Sequence, residues 1–159
     1  MSDIETYPYE GMFLFPPAVT ANLQSAVDHI SEILARANAE VISLRKWDER
    51  RLAYEIKGNK RGVYFLVYFR AASDTLAGIE RSCNLSEQLL RTMITRADHV
   101  TPEQMQAADG RAELADEIKL RSEQEAQSAP AVQVSSAGSE STEESGEGAV
   151  EASTSESSR

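Results

Sequence analysis

The sequence predicts an α+β sandwich of order β-α-β-β-α-β. Four antiparallel strands carry two helices on one face, and a disordered acidic tail follows. Three observations point there. All ten aromatic residues (one Trp, five Tyr, four Phe) lie between Tyr7 and Phe69, so the core belongs to the N-terminal part. The apolar pattern switches repeatedly between a period of two and a period of 3.6. The charge is divided unevenly: residues 1–100 carry 12 Lys+Arg against 13 Asp+Glu, and residues 101–159 carry 4 against 13, so −9 of the net −10 sits in the second part.

Tyr9-Glu10-Gly11-Met12-Phe13-Leu14-Phe15, ended by Pro16-Pro17, has the composition of a first strand. Behind Thr20 as a cap, Leu23, Val27, Ile30, Leu34 and Ala37 recur at three- and four-residue steps, which predicts one amphipathic helix of about five turns. Glu40–Leu44 opens a second strand, the charged stretch Arg45–Arg51 interrupts it, and Leu52–Ile56 resumes it. Gly58–Gly62 is expected to be a hairpin turn, with glycines where a positive φ is needed. Val63–Phe69 is the strongest strand and is apolar on both parities, with Phe65, Val67 and Phe69 on one and Tyr64, Leu66 and Tyr68 on the other. Ser73 or Asp74 is expected to cap a second helix bearing Leu76, Ile79 and Cys83. Asn84–Glu87 breaks that helix, and Leu89–Arg96 forms the last strand.

Two βα units whose middle strands form a hairpin give the ferredoxin-like, split βαβ sandwich, and right-handed crossovers put both helices on one face. The opposite face, with its own apolar residues, is left for solvent or a partner; an exposed apolar face of that kind usually marks an interface. Residues 1–100 are therefore expected to be the folded domain. Residues 101–126 read as a polar helical extension with little to bury, Met105, Leu114, Ile118 and Leu120 being their only sizeable apolar groups. Residues 127–159, rich in Ser and Glu, cannot offset the entropy of ordering and are expected to be disordered.

Several classes of function are disfavoured. No apolar run approaches the ~18 residues that span a bilayer, and Met1-Ser2-Asp3-Ile4-Glu5 lacks the features of a signal peptide, so a soluble cytoplasmic protein is expected. Cys83 is the single cysteine, and neither His29 nor His99 has a second histidine or a carboxylate at ligand spacing. No phosphate-binding glycine loop or nucleophile elbow occurs. The expectation is a protein that is not an enzyme and uses no metal or cofactor.

One cluster stands above background. Residues 45–70 hold eight basic side chains against Asp48, Glu49 and Glu55. Arg45, Lys46, Arg50, Arg51, Lys57, Lys60 and Arg61 surround Trp47 and Tyr54 on a hairpin expected to project from the sheet. Guanidinium forks match phosphate oxygens and flat rings stack on splayed bases, so the pattern suits RNA. Arg91 and Arg96 extend the patch if the last strand lies at the opposite edge of the sheet. Basic residues on a hairpin can equally serve only to keep an edge strand from pairing. An RNA-recognition-motif domain shares the element order, and Arg61, Gly62, Phe65 and Tyr68 fit its third-strand pattern, but Val63 replaces a stacking aromatic and Tyr64 a small residue.

Tyr9-Glu10, Leu44-Arg45-Lys46-Trp47, Arg50-Arg51-Leu52-Ala53-Tyr54-Glu55-Ile56, Gly62-Val63-Tyr64-Phe65 and Leu90-Arg91-Thr92-Met93-Ile94-Thr95-Arg96 occur in the order and spacing of one family. Over about residues 7–100 the chain resembles the sixth protein of the bacterial small ribosomal subunit. The resemblance implies a ribosome-bound structural protein that contacts the central domain of small-subunit rRNA on the platform, together with the eighteenth small-subunit protein. It implies RNA contacts from the basic residues named above and partner contacts from Tyr9, Trp47, Leu52 and Tyr54. Glu55 stands where the family often has proline, and Asp48 where a glycine commonly follows the tryptophan.

Overall fold

Alternation along β1 (Thr6–Phe15) decides how the layers stack. Tyr9, Phe13 and Phe15 are buried on one side, while Met12 and Leu14 belong to clusters on the other. In the computed structural model, which describes residues 4–129, β1 lies inside a four-stranded antiparallel sheet of order β2-β3-β1-β4. The other strands are β2 (Glu40–Ile56), β3 (Asn59–Ala72) and β4 (Arg91–Arg96). The expected ferredoxin-like α+β arrangement is the one present.

Helices α2 (Leu23–Arg36) and α3 (Leu76–Leu85) cover one face. Leu23, Ala26, Ile30, Ile33 and Leu34 from α2, with Ile79 and Cys83 from α3, meet Phe13, Phe15, Phe65, Val67 and Phe69 from the sheet. Phe15 and Phe65 meet edge to face at 5.5 Å, a geometry favoured by the ring quadrupoles. The other face, called the open face below, carries Leu66, Tyr68, Tyr64 and Leu14.

Local details depart from expectation for identifiable reasons. A single turn, α1 (Pro17–Thr20), precedes α2, and Asn22 rather than Thr20 is the cap. Asn22 is extended and its side chain accepts the Gln24 N–H at 3.1 Å, whereas Thr20 is buried with its hydroxyl turned back toward the Pro16 and Pro17 carbonyls. Ser73 and Asp74 form a 3-10 turn and cap nothing through their side chains; the Thr75 hydroxyl donates to the Ala72 carbonyl at 2.8 Å. β2 is continuous instead of interrupted, because bulges at Ile42 and Trp47 absorb its irregular pattern. The hairpin turn is the pair Lys57-Gly58, both at positive φ, as a type I′ turn requires. Gly62 lies within β3, where its missing Cβ leaves room for Leu14.

The segment beyond β4 buries more than its composition suggests. Helix α4 (Pro102–Ala107), closed at its start by a Thr101–Gln104 capping box, sets Met105 against Leu66 and Tyr68 on the open face. The chain then crosses the β2 edge at Gly110, and α5 (Arg111–Ser128) places Leu114 and Ile118 in the helix-side core. The expectation of little to bury is corrected: few apolar residues suffice because each lands on a ready-made face. Of the segment expected to be disordered (127–159), Gln127 and Ser128 close α5, and residues 130–159 lie outside the described residues.

His29 joins α2 to the end of α3. Its Nε2 is 2.6 Å from the Ser86 hydroxyl and its ring meets Phe15 edge-on. Burial pushes its pKa below the ordinary 6.5, so the unfolded chain binds the proton more readily. Its contribution to stability is therefore complete above about pH 6.5 and declines as the pH falls through the lower folded value. Urea titrations from pH 7.5 to 5 should show this decline in the wild type and a shallower one in His29→Gln.

Candidate nucleic-acid interface

The second half of β2 does not project. Arg51 pairs with Arg61 and Ile56 with Asn59, so β3 has only Lys60 between the partners while β2 has Leu52–Glu55. The surplus residues curl over the open face. Leu52 packs with Leu14 and Leu90, and Tyr54 reaches β4, where its hydroxyl accepts from Arg91 and its ring lies 5.0 Å beneath that guanidinium. The Lys57 ammonium donates to the Leu89 carbonyl at 3.2 Å and ties the turn down.

The curl encloses an apolar groove of about 410 Å3 lined by Met12, Leu14, Leu52, Tyr54, Tyr64 and Met93. At its rim Trp47 is 44% exposed, Tyr54 57% and Met93 60%. Trp47 is the bulged residue of β2, which lets it meet Tyr64 edge to face at 5.8 Å and lie under Arg50 at 5.3 Å. Of the four residues expected to face a partner, Trp47, Leu52 and Tyr54 are gathered here. Tyr9 is not: it is 3% exposed, stacked on Phe69 in the helix-side core, because its parity on β1 turns it inward.

The nine expected cations do not form one patch. Arg45 is half-buried beneath the Gly110 crossing, and Lys46 sits 2.8 Å from Glu117 and 3.7 Å from Glu49. Arg50 pairs with Asp48 at 2.6 Å, and that hydrogen bond holds the Asp48 carboxyl below the usual carboxylate range. Arg91 and Arg96, five residues apart on one strand, lie on opposite faces. Arg96 stacks on Tyr7 at 3.8 Å and pairs with Asp98 at 3.1 Å. Arg51, Lys60 and Arg61 are exposed and have no ion pair among the described residues; Arg51 and Arg61 are directly opposite each other. Sequence reasoning missed Met93, whose place at the groove's rim depends on strand order, and the acids of α5, whose approach to β2 is a long-range contact.

The geometry also decides against base stacking of the RNA-recognition-motif kind. That mode needs its third-strand aromatics on the open face, yet Val63 and Phe65 are fully buried against the helices.

Residues 8–96 match the family model described as Ribosomal protein S6. The chain is 34% identical over 92 residues to the small ribosomal subunit protein bS6 of Campylobacter lari, which covers 57% of this chain and 74% of that relative. It is likewise 34% identical over 93 residues to the bS6 of Protochlamydia amoebophila, covering 58% and 82%. The crystal structure of 30S ribosomal protein S6 from Thermotoga maritima shares the fold at a TM-score of 0.55 and 23% identity, over 65% of this chain and 98% of that one.

Burial separates the groove's floor from its rim. Leu52→Ala should cost about 2 kcal/mol or more by leaving a cavity, and Tyr54→Ala less than about 1 kcal/mol, in denaturant melts.

Proposed function

The chain belongs to the ribosomal protein S6 family of the small ribosomal subunit, and on that premise we propose that it binds small-subunit rRNA in its central domain jointly with the eighteenth small-subunit protein, as a cytoplasmic, ribosome-bound structural component. The observation that carries the RNA part is the Arg51–Arg61 pair. Like charges directly opposite on neighbouring strands destabilise a sheet, and neither arginine is ion-paired among the described residues. A phosphate between the two guanidinium forks supplies the missing charge. Lys60 adjoins them on the same hairpin, and Arg91 stands at the rim of the groove.

The partner part rests on the groove. Its aromatic and thioether rim is the composition found at the energetic centre of protein interfaces. Arg91 beside the apolar socket lets one partner cover the socket while both polypeptides present charge to the RNA. Such a protein acts by binding and positioning, and needs no chemistry of its own.

Replacing both Arg51 and Arg61 with Ala should lower the slope of log affinity against log salt for a central-domain rRNA fragment, by about 0.9 for each phosphate no longer neutralised. An unchanged slope would remove the pair from the interface. Trp47→Ala combined with Tyr54→Ala should weaken association with the eighteenth protein by about tenfold or more, as expected for central aromatic contacts, and unaltered affinity would place the partner elsewhere.

A further inference from the structure

We propose that residues 101–128 form an autoinhibitory clasp that withholds Arg45, Lys46 and the adjoining β2 edge from polyanions until it is displaced. This rests on the RNA-binding reading above and concerns a segment beyond the stretch matched to the family, residues 8–96.

β2 is an edge strand, and its outward backbone groups would otherwise be open. The clasp occupies three of them, at Ile42 and Leu44. The Gly110 N–H donates to the Leu44 carbonyl at 3.1 Å, the Leu44 N–H donates to Asp109 Oδ1 at 3.3 Å, and Arg111 donates to the Ile42 carbonyl at 3.3 Å. The approach is so close that a Cβ on Gly110 would stand 2.7 Å from the Arg45 Cβ. The segment carries seven acidic against three basic residues and lies along the part of β2 that holds Arg45 and Lys46. One of those acids, Glu117, takes Lys46 at 2.8 Å. Two cations of the expected RNA set are thereby held by the protein's own carboxylate and backbone crossing.

Lifting the clasp uncovers apolar surface at a few points only. Met105, Leu114 and Ile118 are its anchors in the two cores, while most of α5 is exposed. When Lys46 leaves, Glu117 keeps Arg121 at 2.7 Å. Arg45 Nε is buried with no hydrogen-bond partner among the described residues, so opening returns a stranded donor to water or to a phosphate. RNA phosphates at Arg45 and Lys46 therefore offset part of the cost of lifting those anchors.

The test uses the full chain with poly(U) as probe, titrated at graded salt, and amide exchange at Leu44 as the report of clasp opening. Gly110→Val should hasten Leu44 exchange and steepen the log–log salt slope by about 1.4, the value for two further single-strand phosphates neutralised; Glu117→Gln, which takes from Lys46 and Arg121 the carboxylate they share and leaves Lys46 only the longer contact to Glu49, should steepen it by about 0.7 or more. Faster Leu44 exchange in Gly110→Val with the wild-type slope overturns the clasp. Should Gly110→Val not fold, a wild-type slope in Glu117→Gln overturns it equally. Both failures leave wild-type RNA binding intact, whereas wild-type protein that binds no RNA at any salt defeats the underlying reading and the clasp with it.

Discussion

A central strand that is apolar on both sides obliges the protein to cover both faces of its sheet. On β3, Phe65, Val67 and Phe69 require one cover and Tyr64, Leu66 and Tyr68 another. The two crossover helices supply the first, as right-handed connections dictate. No third crossover element exists among the described residues for the second, so it is assembled from what lies at hand. At one end α4 lays Met105 over Leu66 and Tyr68, and at the other the surplus residues of β2 curl back to bring Leu52 onto Leu14. The groove is what remains between a cover made by a helix and a cover made by a bulge.

The same improvisation sorts the basic residues. A cation on this sheet is stacked on a ring, paired with an acid or left free, and its bulge and parity decide which. The Trp47 bulge sets the indole under Arg50, and the Leu52–Glu55 curl carries Tyr54 to Arg91. Stacked guanidinium groups retain their outward N–H donors, so Arg91 is oriented without being neutralised, whereas Arg50 is both stacked on Trp47 and paired with Asp48. Lys46 is different, since its ammonium is a compact charge already satisfied by carboxylates on two elements. Counting cations in the chain overstates the field that a nucleic acid meets.

The acids of the C-terminal segment give that overstatement a structural cause. Burial pushes the Glu117 carboxyl up, but Lys46 and Arg121 outweigh it and hold the group below its ordinary value. Burial likewise works against Asp109, and its hydrogen bonds from Arg111 and from the Leu44 and Arg111 backbone prevail. Both carboxylates are thus charged at neutral pH where Glu117 meets Lys46 and Asp109 accepts from the Leu44 backbone.

Element order, the two crossover helices and the identity of the aromatic core were legible from the chain alone, because local periodicity records which face of each element is buried. So was the gathering of Trp47, Leu52 and Tyr54, since they share one short stretch. The faces on which Tyr9 and Arg96 lie were not legible: they follow from parity counted outward from the sheet's centre, and composition does not reveal it. The bulges at Ile42, Trp47 and Leu52–Glu55 each reset that parity along β2, with no signal in the pattern of charges that surrounds them. Only tertiary structure could bring Glu117 to Lys46 and Gly110 to Leu44, because those contacts join residues more than sixty positions apart, and polar segments carry no periodicity that names a partner.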